Sequence, residues 1–345
     1  MKEDKSVQDE AGEELFEKFE EFCEKEGAEG WKRAQTTLLK DRARAPGLQE
    51  AIEYAMLKYK PDYFRPTLLS LCSKTVGGNP RNTVSTSAAL TLFAWAIGIH
   101  DDIIDQTITR HKRRTIFGKF GKDLSLILSD VLLFKGFTLL RETLESEVPT
   151  ERVIETLETF EKIWFEQSDG EAIEILSRRQ TDITPKECLE KIRMRASEME
   201  VCTRIGGILG GGSAKQIEDL GSYGRLIGMM GCLRNELIDM LEFNVLRSRI
   251  KRESLPLPVV YALQNPKVRP KLISLLTKSR LSKQDLRNIS KLSDRFGGID
   301  YVAKLIEEMA EKTNNYAKRL RNKELKMFAT TFLIRPEEWK PLLAD

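Results

Sequence analysis

Histidine is nearly missing from this sequence: His100 and His111 are the only two in 345 residues. So few imidazoles all but exclude a histidine-built metal centre. Cysteine is sparse as well. Cys23, Cys72, Cys188, Cys202 and Cys232 are odd in number, widely separated and without a CxxC pair, which predicts reduced thiols within helices and excludes zinc knuckles or a disulfide framework. No excess of one charge is present. The 56 Lys and Arg against 53 Asp and Glu leave +3, which argues against a nucleic-acid or membrane-surface partner. The longest strongly apolar run, residues 88–99 (AALTLFAWAIGI), falls short of the roughly 20 residues that a bilayer span requires. The opening MKEDKSVQDEAGEELFEKFEEF has no apolar centre for a secretory signal. Together these absences predict a soluble, cytoplasmic protein.

What is present is helical. Hydrophobic residues make up 41% and charged residues 32%, the balance of amphipathic helices with solvated faces. Residues 1–30 carry a net charge of −8, yet Leu15, Phe16, Phe19, Phe22 and Cys23 recur at helical spacing, predicting an acidic amphipathic helix laid over an apolar surface. Further helices are expected at about 48–58, 66–76, 82–106, 121–145, 150–178, 185–211, 214–245, 267–277, 283–293 and 298–321. Breakers such as Gly77-Gly78-Asn79-Pro80, Val148-Pro149-Thr150 and Thr184-Pro185 separate them, and Thr150 and Thr184 read as N-caps. Period-2 alternation between hairpin turns is missing, so strands should be scarce. The expectation is one all-α domain over 1–345, with an N-terminal helix at 1–30, a motif-bearing core at 45–260 and C-terminal helices at 261–345. The glycines of Gly206–Gly212 (GGILGGG) lack the GK[ST] ending of a phosphate loop and predict a close helix–helix contact or a helix end.

The sharpest feature is Asp101-Asp102-Ile103-Ile104-Asp105, directly after the most apolar helix. On a helix Asp101 and Asp105 share a face one turn apart, with Asp102 about 100° away. Three carboxylates there repel one another unless hard cations neutralise them, and oxygen-only ligands favour Mg²⁺ completed by substrate phosphates. Taken alone, the segment reads equally well as a solvated helix end. Arg110-His111-Lys112-Arg113-Arg114 follows, and beside a metal cluster such cations suit a diphosphate. A second acidic pair, Glu236 and Asp239, shares a helix face in the segment that begins Arg234-Asn235. In isolation that pair reads as an exposed polar stripe.

The order of these motifs resembles the all-trans isoprenyl diphosphate synthase family, also called polyprenyl synthetases, across roughly residues 45–260. DDIID at 101–105 is similar to the family's first aspartate-rich motif, and Arg65-Pro66 to the end of its GGKxxRP segment. Arg110 and Thr115 fall where the family has RRGxPT, and Ser129-Asp130 replaces its Gly-Asp. Gly170-Glu171 and Glu174 stand for GQxxD, and Ile192–Ala196 for IxxKT with Arg195 in place of the lysine. Gly228–Asp239 resembles the second motif, GxxFQxxDDxxD, and Arg252–Pro258 the segment after it.

The resemblance implies an all-α isoprenoid-synthase bundle around a central cavity, usually a homodimer. Its substrate is an allylic isoprenoid diphosphate, ionised on Mg²⁺ and joined to an acceptor such as isopentenyl diphosphate. Asp101, Asp102 and Asp105 take the catalytic and metal-binding positions, and Glu236, Asp239 and Asn235 those of the second metal wall. Arg110, Arg195, Arg65 and Lys60 are the implied diphosphate-binding cations. Ala96, Ile97, Trp95 and Phe93, before the first motif, are the implied chain-length pocket, and His100 is given no catalytic role. The departures fall on the acceptor side: positions that hold the second diphosphate in the family read Asp62, Arg65, Ala94 and His111. Two competing readings follow from that loss. One is a terpene-synthase-like diphosphate lyase or cyclase, and the other is a non-catalytic subunit of a heteromeric synthase.

Overall fold

The computed structural model describes residues 3–59, 61–110, 113–144 and 147–331, with the backbone alone at 3–15 and 144. Fifteen α-helices and one two-stranded hairpin make up the regular structure among the described residues, so the all-α expectation holds. Two compact units emerge: residues 1–160 with 201–221, and residues 161–200 with 222–345.

The first unit is built on α4 (Val84–Ile104), whose first ten residues are mostly buried. It is preceded by α1 (Glu3–Leu39), α2 (Pro46–Lys58), α3 (Phe64–Thr75) and a short 3-10 turn at Pro80–Thr83. Residues 80–104 are long and apolar enough to cross a bilayer, but 67% of the most apolar window is buried inside the protein, as in a core helix. The partner of α4 is α5 (Ile116–Leu144). Polar atoms between these two helices pair with each other: Thr86 Oγ1 lies 2.9 Å from Thr143 Oγ1, and the Ser129 hydroxyl donates to the Ala96 carbonyl at 2.9 Å. α5 begins five residues earlier than its apolar pattern suggests. The reason is Gly121, whose φ of 76° puts a kink between two helical pieces.

The acidic N-terminal helix is real and longer than expected, continuing through Gly27 and Gly30 to Leu39. Phe19, Cys23, Trp31, Ala34 and Leu38 form its buried stripe, whereas Phe16 is 45% exposed. The side chain of Leu15 lies outside the described residues. A Cβ at Gly27 would stand 2.3 Å from the Tyr63 carbonyl oxygen, so glycine there lets the start of α3 come this near to α1. The 206–212 glycines behave as both expected alternatives. Gly206 packs on the Leu69 backbone, and Gly211 ends α8 (Ser197–Gly210) at φ +81°.

The second unit holds most of α6 (Thr150–Leu176) and of α9 (Ala214–Leu241), together with α7 (Pro185–Arg195). It continues through α10 (Phe243–Arg252), α11 (Leu257–Leu263), α12 (Arg269–Leu276), α13 (Lys283–Arg295), α14 (Gly298–Arg319) and α15 (Lys323–Thr331). Its core gathers Ile192, Leu233, Leu237, Leu246, Val260, Ile289 and Ile306 from six of these helices. α7 starts at the expected Thr184, where a reciprocal capping box with Glu187 satisfies two end groups. The helix expected over 185–211 is broken at Ala196, because α9 passes so near that a Cβ at Gly228 would meet the Ala196 oxygen at 2.5 Å. Tyr223 donates to the Leu325 carbonyl at 2.6 Å and secures α15 on α9.

The closest backbone approach in this unit yields a stability test. A Cβ at Gly298 would stand 2.1 Å from the Pro258 carbonyl oxygen. Gly298→Ala should therefore destabilise the protein by about 1–3 kcal/mol through overpacking. Urea unfolding measures this, and an unchanged midpoint would contradict the packing described.

Candidate functional site

The end of α4 carries the DDIID segment. Carboxylates at a helix C-terminus oppose the helix dipole, so this arrangement requires cations close by. Asp105 closes the helix, its N–H donating to the Asp101 carbonyl at 2.8 Å. Asp101 and Asp105 are partly exposed, and Asp102 is only 7% exposed. Burial pushes the Asp102 carboxyl above its ordinary range, and Arg110 beside it pulls it back only in part. The Arg110 Nε donates to Asp102 Oδ1 at 2.7 Å, while its side chain remains 53% exposed. Asp102 was expected as a third metal ligand; in the structure its carboxylate holds Arg110.

The basic run does more than lie in solvent. Thr109–Arg110 pairs with Arg113–Arg114 as an antiparallel hairpin, and three contacts latch it to the end of α2. Tyr54 and Tyr59 both donate their hydroxyls to the Arg114 carbonyl at 2.8 Å, and Arg113 donates to the Lys58 carbonyl at 2.6 Å. Thr115 completes the turn, donating to the Thr107 carbonyl at 2.7 Å and accepting from the Gly118 N–H at 2.8 Å. Lys60 and His111 lie outside the described residues. Arg65, another expected diphosphate cation, donates to Asp62 at 2.6 Å, and Asp62 also accepts the Phe64 N–H at the start of α3.

Helical geometry divides the residues expected to form a chain-length pocket. Residues 94, 97 and 98 lie three, four or seven positions before Asp101 and so share its face. Ala94 and Ile97 are partly exposed, and Gly98 is exposed with nothing within 4 Å of an added Cβ. Of the four expected residues only Ile97 lies there. Ala96 is fully buried on the α5 side, and Phe93 is buried against Phe137 and Phe160. Trp95 packs between Trp31 and Tyr59, with ring centroids 5.5 Å away on each side.

In the second unit the expected residues gather into a buried charge network. Arg195 donates to Glu171 at 2.7 Å, and α7 approaches α6 at Gly170, where a Cβ would meet Met194 at 2.9 Å. Lys191, 3% exposed, reaches Glu174 at 2.7 Å and the Ser254 hydroxyl at 2.6 Å. Burial alone would raise the Glu174 carboxyl, but the charges of Lys191, Arg249 and Arg195 outweigh it and hold it well below the usual range. Arg249 lies at the centre. It donates to Glu236 Oε1 at 2.8 Å and to Asp239 Oδ2, and it pairs with Glu253 at 3.2 Å. The other Glu236 oxygen accepts the Leu257 N–H at 2.6 Å. Asn235 is exposed.

The two acidic motifs therefore differ in their fitness for a metal. Among the described residues no three Asp, Glu, His or Cys side chains converge to hold an ion by themselves. Asp101 and Asp105 place two carboxylates on one partly exposed face, which suits Mg²⁺, an ion that keeps waters and takes its remaining ligands from phosphates. Glu236 and Asp239 do not fit, because a guanidinium already occupies the space between them. Lys191, Arg249, Ser254 and the two tyrosines were missed from sequence. The amphipathic pattern of α10 sets Arg247 and Arg249 alike at the edges of the face that carries Leu246 and Ile250, and so does not single out Arg249.

Two outcomes follow for the network. Arg249→Met should destabilise the protein by about 3–5 kcal/mol, because it strands buried carboxylates, and chemical denaturation would register the loss. Glu174 has a folded pKa depressed below its unfolded value of about 4.3. Its stabilisation is complete above that value and is lost as pH falls through the folded pKa. Glu174→Gln should therefore flatten the acid limb of the stability–pH curve, and an acid limb as steep as that of the parent protein would contradict the assignment.

Comparison with known proteins gives this arrangement a relation. The family model of polyprenyl synthetase matches residues 46–292. A short chain isoprenyl diphosphate synthase of Methanothermobacter thermautotrophicus is 28% identical over 246 residues, 69% of this chain and 74% of its own. A geranylgeranyl diphosphate synthase of Methanosarcina mazei is 26% identical over 258 residues, 72% of this chain and 78% of its own. The crystal structure of a geranylgeranyl pyrophosphate synthetase from Pyrococcus horikoshii superposes with a TM-score of 0.79 at 22% identity, covering 92% of this chain and 99% of that one, a likeness of fold. With the family model spanning most of the chain and the DDIID helix inside the matched region, the chain belongs to the polyprenyl synthetase family and is a prenyltransferase.

Proposed function

We propose that the protein ionises an allylic isoprenoid diphosphate in the presence of Mg²⁺ and joins the prenyl group to isopentenyl diphosphate. The observation that carries this reading is the end of α4. Asp101 and Asp105 stand one turn apart on a partly exposed face, while Asp102 tethers Arg110 beside them. Asp101 and Asp105 are the residues that would hold Mg²⁺, which when bound there supplies positive charge to a departing diphosphate. Arg110 donates its Nε to Asp102 at 2.7 Å with its side chain 53% exposed, and its fork suits phosphate oxygens. The Tyr54 and Tyr59 hydroxyls fix the hairpin that carries it, so the cation is placed before substrate arrives. Below Asp101, nothing lies within 4 Å of an added Cβ at Gly98, open space along the same face that a prenyl chain would occupy.

The acceptor side is weaker. Arg65 is engaged by Asp62, which stands at the lysine position of the GGKxxRP segment. We also propose a homodimer. Ile127, Phe134 and Phe137 lie on α5 at spacings of seven and three, and Phe134 is 74% exposed, a row that a second copy would cover. All five cysteines are free thiols and four of them are buried, which agrees with a cytoplasmic setting.

Purified protein, Mg²⁺ and farnesyl diphosphate should yield longer prenyl diphosphates only when isopentenyl diphosphate is added. Diphosphate release without the acceptor would favour a lyase, and inactivity until another subunit is supplied would favour a regulatory role. Asp101→Ala and Asp105→Ala should each lower turnover about 10²–10³-fold or more, and full activity in both would remove the metal assignment. In analytical ultracentrifugation the parent should sediment at twice the 39.5 kDa of one chain, and Phe134→Glu as a single chain. A dimer surviving that substitution would place the interface elsewhere.

A further inference from the structure

We propose that Arg249 is the resident cation of the second acidic motif, so that this motif binds no divalent ion and metal is held by the first motif alone. The inference rests on the reading of Asp101 and Asp105 given above, and it separates this chain from an enzyme with two metal walls. Three observations carry it. All three guanidinium nitrogens of Arg249 are engaged: Nη2 by Glu236 at 2.8 Å, Nη1 by Asp239, and Nε by Glu253 at 3.2 Å and the Ser254 carbonyl at 3.3 Å. Both oxygens of Glu236 already have donors, since the Leu257 N–H fills the second at 2.6 Å. The arginine side chain is only 9% exposed and that of Glu236 8%, so a hydrated ion could reach this carboxylate only by displacing a buried charge.

Physics favours the arginine. Its charge cannot be removed by deprotonation, its planar fork serves two carboxylates at once, and it loses less hydration than an ammonium on burial. A Mg²⁺ ion gives up its waters reluctantly and demands octahedral geometry, which a guanidinium-filled pair of carboxylates does not offer. The consequence reaches along the chain. Because Glu236 also holds the Leu257 N–H, the resident cation fixes the passage from α10 to α11 whether or not metal is present. In this unit the acids of the second motif act as positioning residues for that passage, and Asn235, on the exposed side of α9, adds no charge to attract an ion.

Two measurements decide the matter. Hydrogen exchange of the parent protein, read at the Leu257 amide in EDTA and in Mg²⁺, should give rates within two-fold of each other. Exchange at least ten-fold faster in EDTA would overturn the proposal, because the passage would then depend on metal. Mn²⁺ titration followed by EPR should show Asn235→Ala, Glu236→Gln and Asp239→Asn within two-fold of the parent affinity, with Asp101→Asn at least ten-fold weaker. A ten-fold loss in any of the first three would overturn the proposal, and Asn235→Ala tests that wall without touching the buried network. If Asp101→Asn left Mn²⁺ affinity unchanged, the reading of the first motif would fall, and the exchange rates would still decide for or against Arg249.

Discussion

A carboxylate taken out of water must meet a positive charge, and most of what is distinctive in this chain follows from how its acids meet that requirement. Asp102 is buried at the end of α4 and is met by Arg110. Glu236 and Asp239 are met by Arg249, and Glu174 by Lys191. Asp101 and Asp105 differ. They stay on a partly exposed face at the end of the same helix, the face to which we assign the metal and the diphosphate. The same short motif thus holds one buried, cation-paired acid beside two that stay partly exposed.

Close backbone packing makes that separation possible. α4 lies against α5 so tightly that their hydroxyls pair with each other or with a carbonyl, and Gly136 is needed where Phe93 reaches across, since a Cβ there would stand 2.8 Å from the ring. The outer face of α4 is reduced to Ala94, Ile97 and Gly98 beneath the aspartates. In the second unit, Gly170 and Gly228 let α7 approach its neighbours, which sets the backbone carrying Lys191 and Arg195. Rigid elements, not loops, thereby hold the charged groups, with the short hairpin at Thr109–Arg114 as the exception.

Much of this was legible in the sequence, and the failures have physical causes. Period 3.6 gave the long helices, and Thr184 gave the start of α7, because a hydroxyl followed three residues later by Glu leaves the chain few alternatives. α11 was missed because its seven residues lie among prolines, too short for any period to show. The hairpin was missed because Arg110–Arg114 has no apolar alternation. Its order comes from two tyrosines 55 and 60 residues earlier in the chain. The family motifs located the acidic helix end, whereas counting back along the sequence named Ala96, which helical rotation turns toward α5 and away from the Asp101 face that Gly98 shares. Arg249 was illegible for a different reason: Asp239 and Glu236 lie 10 and 13 residues before it, and its i,i+4 partner Glu253 looks in the sequence like an ordinary surface pair.

The central claim is that the first acidic motif takes metal and the second takes an arginine. Crystals of the protein grown with Mn²⁺ and a non-hydrolysable diphosphate analogue, measured at the manganese absorption edge, test it directly. Anomalous peaks should appear beside Asp101 and Asp105, with none within coordinating distance of Glu236 or Asp239. A peak between Glu236 and Asp239, or the lack of one beside Asp101, would contradict the account.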